Sequence, residues 1–433
     1  MSEWKKVKIG DVCKIVKGTT GIASAVPGEF PLVVTAVERK TCSTYQFDCD
    51  AVCIPLVSSS GHGKKSLNNV HFQSGKFALG TILCAVIPNN PDELDARYLH
   101  QYLQFYKDTV LVPLMKGAAN VSLSMKDITG VSIPLPPIKR QRELAEMFVT
   151  LQEKQKELFT EFEKQTEYAK QLRQNILQEA IEGKLTADWR KQHPVQKGNP
   201  DYDAEALFEK IQAEKLETKS TKKTVAPIAK DEIPFEIPTG WKWVRLGGIC
   251  EGFMYGTSAK SLPSGKCPVL RMGNIQNGKI DWEKLVYTNN DEEMEKYLLK
   301  QYDLLFNRTN SREMVGKTAI FESTQKTIYA GYLVKFRPIK SSPYFVNIVL
   351  NSKTHREWCN EVKVDALGQS NINAEKLKNF ITPLPPLAEQ KEIVARVEKH
   401  LEAITQLETQ IATRETTTKQ LMQSILKDAF EEG

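Results

Sequence analysis

Histidine is scarce in this chain, and its histidines and cysteines do not group as metal ligands. There are six histidines and eight cysteines among 433 residues, and no two cysteines have C-x-x-C spacing. The densest group, Cys42, Cys49 and Cys53 with His62 and His71 beyond it, lacks the spacing of a zinc site. We therefore expect no metal site, and free thiols in the reducing conditions of the cytoplasm.

Long apolar runs are also missing. No stretch approaches the ~18 apolar residues of a membrane span, and the polar N-terminal residues 1–8 lack the apolar region of a secretory signal. We expect a cytoplasmic protein without a membrane partner. With 41% hydrophobic and 26% charged residues, the chain has a globular composition, and its length exceeds that of one ordinary core. A net charge of +6 permits a nucleic-acid partner without requiring one.

Catalytic fingerprints are missing as well. Gly316-Lys317-Thr318 ends like a phosphate-binding loop, but the glycine required five positions earlier is Ser311. Asn89-Asn90-Pro91-Asp92 lacks the second proline and the aromatic residue of an amino-methyltransferase motif. G-x-S-x-G, H-E-x-x-H and the Rossmann glycine pattern do not occur. We expect a protein without catalytic residues and without a bound cofactor.

The chain does contain an internal repeat. Three pairs of strings match, the first at an offset of 237 and the others at 249: WKKVKIGDVC at 4–13 with WKWVRLGGIC at 241–250, PLPP-x-x-x-Q at 134–141 with 383–390, and LRQNILQEAIE at 172–182 with LMQSILKDAFE at 421–431. The segments between the first and second strings differ strongly. Two similar frames therefore hold two dissimilar inserts.

Each repeat closes on a predicted long helix. Glycine and proline are absent from 138–182 and from 387–432, and apolar positions alternate at spacings of three and four, as in a coiled coil. The predicted seam is Leu144, Phe148, Leu151, Leu158, Phe162, Leu172 and Ile176 in the first helix, and Ile393, Val397, Ile404, Leu407, Ile411, Leu421 and Ile425 in the second. Because the second helix must return along the first, we expect an antiparallel, pseudo-two-fold symmetric coiled coil. Two unconnected surface helices are the alternative.

The helices divide the remaining chain into mixed α and β segments. Short strand-like runs bounded by Gly, Asn, Ser and Pro, with intervening helices, predict two globular α+β domains. The predicted organisation is domain one at 1–133, spacer helix one at 134–183, a linker at 184–237, domain two at 238–382 and spacer helix two at 383–433. The linker is predicted to hold a short helix at 203–215 and a solvated Lys/Thr-rich tether.

Each predicted domain contains a polar, basic loop. These are Ser58–Lys65 in the first domain and Asn307–Arg312 in the second. Arginine reads guanine edges, asparagine reads adenine, and lysine and serine hold phosphates. Ordinary surface turns have a similar composition, so the loop chemistry alone leaves that alternative open.

The repeated frame resembles the family of type I restriction–modification specificity subunits, also called HsdS. The resemblance covers essentially the whole chain and includes Asn120-Val121 and Asn371-Ile372 ahead of the two PLPP strings. It also includes ILQEAIEGKLTADWR after the first helix, and VLRMGNIQNGKIDW at 269–282 and YDLLFNRTNSREMVGKTAIF at 302–321 in the second domain. The first domain lacks the NIQNGK and NRTNS strings, which places it in another sequence class.

The resemblance implies two target recognition domains, each contacting half of a bipartite site in double-stranded DNA. It also implies a helical spacer on which two methyltransferase subunits dock, joined by restriction/translocase subunits. S-adenosylmethionine, ATP and Mg would then belong to those partners, with no cofactor on this chain. The expected DNA-binding residues are Ser59, Ser60, His62, Lys64, Lys65, Lys116, Asn120, Asn274, Asn277, Lys279, Arg308, Asn310, Ser311, Arg312, Lys317, Gln369 and Asn371. A coiled-coil structural adaptor without sequence-specific DNA binding is the alternative.

Overall fold

The structure, a computed structural model, describes residues 4–60, 63–217, 227–366 and 368–431. The chain divides into two compact units, and each long helix contributes one part to each of them. Unit 1 comprises Met1–Glu163 and Ala412–Gly433, and unit 2 comprises Lys164–Ile411.

Unit 1 is an α+β body in which two four-stranded sheets and a short strand pair precede the first long helix. Its strands are β1 (Lys6–Lys8), β2 (Cys13–Lys17), β3 (Phe30–Val33), β4 (Lys40–Cys42), β5 (Phe47–Asp48), β6 (Ala51–Pro55), β7 (His71–Gln73), β8 (Lys76–Leu79), β9 (Leu83–Pro88) and β10 (Ser132–Pro134). Its helices are α1 (Ile9–Val12), α2 (Ala96–Val110), α3 (Met125–Thr129) and the start of α4 (Ile138–Ile181). The sheet orders are β2-β9-β6-β7 and β4-β3-β8-β5. Every residue of β6 is buried, which explains its continuous apolar sequence.

Unit 2 repeats this plan with more numerous and shorter strands. The linker contributes α5 (Ala187–Gln192) and α6 (Ala204–Glu217). The strands are β11 (Lys242–Arg245), β12 (Cys250–Tyr255), β13 (Cys267–Leu270), β14 (Ile275–Gln276), β15 (Lys279–Ile280), β16 (Val286–Thr288), β17 (Leu304–Asn307), β18 (Thr309–Asn310), β19 (Thr318–Ile320), β20 (Ile328–Tyr329), β21 (Leu333–Pro338), β22 (Val364–Ala366), β23 (Gln369–Asn371) and β24 (Ile381–Leu384). The helices are α7 (Leu246–Ile249), α8 (Asp291–Lys296), α9 (Pro343–Val349), α10 (Lys353–Val362), α11 (Ala374–Asn379) and α12 (Leu387–Glu431).

The repeated strings form equivalent structures in both units. The opening Trp string pairs antiparallel with the strand that leads into PLPP, as β1 with β10 and β11 with β24. The register is also the same, because Val7 lies opposite Ile133 and Val244 lies opposite Thr382. The predicted mixed α and β fold is therefore confirmed, and the sequence repeat is a repeat of strand pairing.

The glycine shared by the two Trp strings has a packing reason. A Cβ added at Gly10 would lie 2.8 Å from Cβ of Thr129, and one at Gly247 would lie 3.0 Å from Cβ of Lys378. In both units the short helix after the first strand therefore approaches the helix before the last strand too closely for a side chain.

The glutamine of PLPP-x-x-x-Q is a buried clamp in each unit. Gln141 Oε1 accepts the backbone N–H of Asp95 at 2.8 Å, and Gln390 Oε1 accepts the N–H of Ser342 at 2.8 Å. Asp95 and Ser342 are the N-cap residues of α2 and α9. Each side-chain amide also donates to the proline carbonyl five residues earlier. The motif thus joins the start of a long helix to a helix of its own domain.

The two long helices pack antiparallel within each unit, as predicted. In unit 1 the rings of Phe148 and Phe430 lie 5.2 Å apart, while Arg414 lies over the Phe162 ring at 5.7 Å. In unit 2 Arg173 pairs with Glu408 at 3.0 Å. Along α4 the partners on α12 therefore come in reverse order of sequence.

The heptad assignment of four leucines is wrong. Leu158, Leu172, Leu407 and Leu421 are 42%, 44%, 48% and 58% exposed. An untwisted α-helix drifts by about 20° per heptad from a strict 3.5-residue repeat, so the packed stripe moves on by one residue. Met422 is buried in place of Leu421. The other predicted seam positions are buried or half-buried: Leu144, Phe148, Leu151, Phe162, Ile176, Ile393, Val397, Ile404, Ile411 and Ile425.

The linker packs onto unit 2 through α5, α6 and the segment between them. The carbonyls of Pro200 and Asp201 accept the first two N–H groups of α12. Glu389 is buried and accepts the indole N–H of Trp241 at 2.7 Å together with an Arg190 guanidinium N–H. The predicted linker helix is present as α6, while the Lys/Thr-rich tether lies outside the described residues.

The structure also describes the cysteines, the metal-binding side chains and the hydropathy of the helices. All eight cysteines are free thiols, and seven of them are buried. Within the described ranges, no group of three metal-binding side chains comes together. In that same part of the chain, no helix combines the length and hydropathy needed to cross a bilayer.

Candidate nucleic-acid interface

A small antiparallel sheet in unit 2 brings distant polar residues together. Strand β23 pairs with β18 on one side and with β22 on the other. Thr309 lies opposite Asn371, and Asn310 lies opposite Ser370. Residues about 60 positions apart in sequence therefore share one surface. Six of the predicted contact residues lie on or beside it: Arg308, Asn310, Ser311, Arg312, Gln369 and Asn371.

The Arg308 side chain is held at the base of this surface by three neighbours. Its guanidinium lies 4.6 Å from the ring centre of Tyr255. One terminal nitrogen donates to the carbonyl of Gly331 at 3.3 Å, and the other donates to Oδ1 of Asn371 at 3.4 Å. Asn371 in turn donates to Oγ1 of Thr309 at 2.8 Å. We call Tyr255, Arg308, Thr309 and Asn371 the Arg308 cluster.

The charge of Arg308 is not compensated by an acid. Across the described ranges, no carboxylate lies within ion-pair distance of Arg308, and its Nε is buried without a hydrogen-bond partner. The preceding residue, Asn307, is fully buried, and neither atom of its amide has a partner in the described residues. An oriented, half-buried guanidinium of this kind has free N–H capacity for a phosphate or a guanine edge.

The outer part of the surface is more exposed. The Arg312 side chain is 72% exposed and its distance to Asp365 is 3.8 Å, so that ion pair is weak. Gln369 is exposed, while Asn310 and Ser311 are half-buried. Their side chains are available to a partner that approaches the Arg308 cluster.

The other predicted contact residues of unit 2 lie elsewhere. Asn274 is buried, and its amide closes a loop by donating to the carbonyls of Asp281 and Glu283, which argues against direct base contact. Asn277 and Lys279 are exposed around the turn between β14 and β15. Lys317 is half-buried and donates to Oε1 of Gln276 at 3.0 Å.

In unit 1 the corresponding surface is formed by two adjacent loops. Val57 and Lys116 both bridge to Ser122, and a Cβ at Gly63 would lie 2.4 Å from the carbonyl oxygen of Ala118. Residues 57–60 and 63–66 therefore lie beside residues 116–122. Six predicted residues are on these loops: Ser59, Ser60, Lys64, Lys65, Lys116 and Asn120.

The serines of this surface shape the loop, and its lysines and Asn120 point outward. Ser60 Oγ lies 2.7 Å from Ser66 Oγ, and Ser59 Oγ accepts the N–H of Asn68 at 3.0 Å. Lys64, Lys65 and Asn120 are exposed. Lys116 pairs with Asp127, and hydrogen bonds from Ser124 and Lys116 lower the pKa of the Asp127 carboxyl. The predicted residue His62 lies outside the described residues.

The two surfaces occupy equivalent positions in the frame. Leu56 donates its N–H to Ile82 and accepts from Leu123, while Arg308 donates to Tyr332 and accepts from Ile372. Leu123 thus corresponds to Ile372, and Ser122 corresponds to Asn371. The sequence pattern pairs Asn120 with Asn371, because each asparagine is followed by an apolar residue. This pairing is wrong by two residues, since Ser122 is the counterpart of Asn371 at the offset of 249 that also relates the two PLPP strings.

The sequence missed Tyr255 and its counterpart. Tyr255 lies opposite Val334, and Lys17 lies opposite the equivalent residue Cys84. Tyr255 is 41% exposed despite its contact with Arg308. No local motif marks either position, and only the strand pairing in each unit identifies them.

Two solved structures share this fold. One is described as "Structural basis underlying complex assembly and conformational transition of the type I R-M system"; it aligns over 100% of this chain and 98% of that chain, with TM-score 0.63 and 18% identity. The HsdS subunit of Thermoanaerobacter tengcongensis aligns over 100% of this chain and 97% of that chain, with TM-score 0.55 and 17% identity. The fold is therefore of the HsdS class.

A protein-family model described as "Type I restriction modification DNA specificity domain" matches residues 1–176 and 238–414. The chain belongs to this family, with one copy of the domain in each half.

The curated relatives are named as specificity subunits of type I restriction enzymes. The type I restriction enzyme EcoKI specificity subunit of Escherichia coli K12 is 27% identical over 323 residues, 73% of this chain and 61% of that protein. The EcoAI specificity subunit of Escherichia coli is 30% identical over 272 residues, 60% of this chain and 44% of that protein. The EcoDI specificity subunit of Escherichia coli is 23% identical over 450 residues, 99% of this chain and 88% of that protein. The alignments thus cover only part of the EcoKI and EcoAI subunits, 61% and 44% of their lengths.

Proposed function

We propose that this chain is the DNA-reading subunit of a type I restriction–modification complex. It binds double-stranded DNA through both units, and each unit reads one half of a bipartite sequence. The family match covers a DNA specificity domain in each half of the chain, and the proposal extends that description to the activity of the whole protein.

The Arg308 cluster carries the proposal. Its arginine is stacked on Tyr255, aligned by Asn371 and Gly331, and has no acidic partner in the described chain. A stacked, pre-oriented guanidinium loses little conformational entropy when it binds a base edge or a phosphate. A scaffold that bound only proteins through this surface would not need an uncompensated, half-buried charge there.

The contrast between the units supports sequence reading over simple scaffolding. The frame positions are alike, but Arg308, Tyr255, Thr309 and Asn371 are replaced by Leu56, Lys17, Val57 and Ser122 at the equivalent sites. Different chemistry at one position of a shared frame suits two domains that recognise different base sequences.

The partners follow from the same proposal. The chain directs two methyltransferase subunits, which bind S-adenosylmethionine, and restriction/translocase subunits, which use ATP and Mg, to the sequence that it recognises. It contributes no catalytic residues and no cofactor of its own, and it works in the cytoplasm with its DNA substrate.

The proposal is tested by sequencing DNA methylation in cells with and without this gene, with the methyltransferase gene present in both. We expect one bipartite modified motif to disappear when the gene is removed and to return with a wild-type copy. An unchanged set of modified motifs contradicts the proposal. Assembly with the methyltransferase but no DNA protection in vitro favours the structural adaptor instead.

A further inference from the structure

A cavity in unit 2 lies apart from the Arg308 cluster. Its volume is about 410 Å³, and it is bounded by α4, α12, α9, the start of α10 and the turn between β14 and β15. Arg173, Lys317, Lys353 and Arg356 line it, and among its described lining residues there is no aspartate or glutamate. The cavity is therefore cationic.

Two of these cations are half-buried and have only neutral partners. Lys317 donates to Oε1 of Gln276 at 3.0 Å, and Arg356 donates to the carbonyl oxygen of Val315. In the part of the chain that the structure describes, neither one forms an ion pair with a carboxylate. Burial, and next the charge of Arg356, lower the pKa of the Lys317 ammonium, so the two cations are close enough to repel each other.

The other two cations are already paired. Arg173 contacts Glu408 at 3.0 Å, and Lys353 lies 3.8 Å from Glu357. Lys317 and Arg356 therefore hold the positive charge that an entering anion can neutralise. Such an anion would relieve their repulsion as well as form charge-assisted hydrogen bonds.

Amide side chains fix the cavity walls before any ligand binds. Asn347 donates to the carbonyl of Gly278 at 2.8 Å, and Asn351 donates to the carbonyl of Thr318 at 3.1 Å. Gly278 has φ of 78° and lies so close to Asn347 Nδ2 that an added Cβ would be 3.1 Å away. These bonds join the β14–β15 turn to α9 and join β19 to the turn after α9, so the cavity is preformed.

The neighbouring cavity limits the kind of anion that fits. It has a volume of about 650 Å³, shares part of the wall, and includes Glu322, Glu398, Glu402 and Glu408. A DNA backbone extended along both cavities would meet these four carboxylates. A discrete ligand that places one anionic group between Lys317 and Arg356 avoids them, and a cavity of this size accommodates a nucleotide-sized molecule.

We propose that this cavity binds a small phosphate-bearing ligand of nucleotide size. Lys317 and Arg356 hold its phosphate, and its organic part lies against Leu177, Ile348 and Leu401. The assignment goes beyond the reading of DNA sequence, since it uses none of the residues of the Arg308 cluster.

Isothermal titration of the full chain with AMP, inorganic pyrophosphate and a short DNA duplex tests the proposal. We expect AMP and pyrophosphate to bind, and Lys317→Met and Arg356→Met each to weaken both by about tenfold or more, since each removes a charge-assisted hydrogen bond. Lys300→Met, at an exposed lysine outside the cavity, is the matched control. Arg356→Lys should retain most of the affinity, and thermal melting checks that every variant is folded.

The result that overturns the proposal is a folded wild-type chain to which neither AMP nor pyrophosphate binds. If Lys317→Met weakens only the duplex, the phosphate comes from the DNA backbone and the small-ligand assignment is wrong. Failure of DNA reading would leave the AMP arm unaffected, so the two proposals can fail separately.

Discussion

The two units share one structural frame but carry different side chains at the end of its central strand. In both, the Trp string pairs with the strand before PLPP in one register, and a buried glutamine clamps the long helix to a helix N-cap. At the end of the central strand, however, unit 2 has Arg308 stacked on Tyr255, and unit 1 has Leu56 beside the strand of Lys17.

This difference shows how one scaffold can support different recognition chemistry. Leu56 and Arg308 make the same pair of backbone hydrogen bonds, with distances between 2.8 and 2.9 Å. Backbone bonds do not depend on the side chain, so these positions can change residue type while the frame remains intact. The side chains of the frame are less free to change, because their own amide groups or rings make the contacts that hold the frame together.

The clamp glutamines should give the largest effect, and an equal one in both units. Gln141→Ala or Gln390→Ala leaves a buried helix N-cap N–H and a proline carbonyl unpaired, so we expect each to lower the free energy of unfolding by about 3 kcal/mol. Urea denaturation measures this, with the exposed Gln171→Ala as control. A large loss from one variant and none from the other would break the equivalence of the units.

Acid should destabilise both units through one buried histidine each. Burial, with the charge of Arg39, lowers the pKa of His71 to about 4, and burial with Arg356 lowers that of His355 to about 3. Below about pH 6.5 each histidine is protonated in the unfolded chain but stays neutral in the folded chain. The free energy of unfolding therefore falls as the pH falls, by up to ~1.4 kcal/mol per pH unit for each histidine.

Melting temperatures from pH 7 to pH 5 test this for each histidine. His71→Gln and His355→Gln should each flatten the decline, whereas His400→Gln, at an exposed position, should not. A decline with the wild-type slope in both buried variants would mean that other groups cause the acid sensitivity.

The Arg308 cluster should produce an asymmetric effect on DNA. Arg308→Ala is expected to weaken binding of the assembled methyltransferase complex by about 2 kcal/mol, roughly 30-fold, and to relax base preference in one half-site. Leu56→Ala should change affinity less than threefold. Binding to duplexes varied one base pair at a time provides the measurement, and equal effects of both variants would remove the asymmetry.

Neighbouring residues on α12 should differ by a smaller amount. Met422 is buried and Leu421 is 58% exposed, so Met422→Ala should cost about 2 kcal/mol and Leu421→Ala less than ~0.5 kcal/mol. The reverse order in urea denaturation would restore the strict heptad seam that the sequence suggested.

The frame was predictable because it depends on patterns within the sequence. The matched Trp and PLPP strings identified strands and helix starts that pair in one register, and the absence of Gly and Pro marked both long helices. The misassigned seam leucines reflect a property that a sequence window cannot show: how far the packed stripe drifts around each helix. A period of 3.5 or 3.6 fits a short window equally well, and the difference accumulates only over several turns.

The candidate surfaces were predictable only in part. The structure brings Arg308, Asn310 and Arg312 close to distant Asn371, because the loop and the string before PLPP meet across β18 and β23. Tyr255 was missed because its role depends on strand pairing, and a bulge in β12 shifts its register from the repeat. Asn274 was predicted to contact DNA because an asparagine amide can bind a base edge. In the structure the same amide closes a loop by donating to the carbonyl of Asp281.

Replacing residues 1–133 with the corresponding segment of a relative, while keeping the rest of the chain, tests the central claim most directly. Methylation sequencing of cells that express this hybrid with the methyltransferase should show a bipartite motif with one half changed and the other half retained. A motif that is unchanged, or altered in both halves, would contradict the account of two independently reading units.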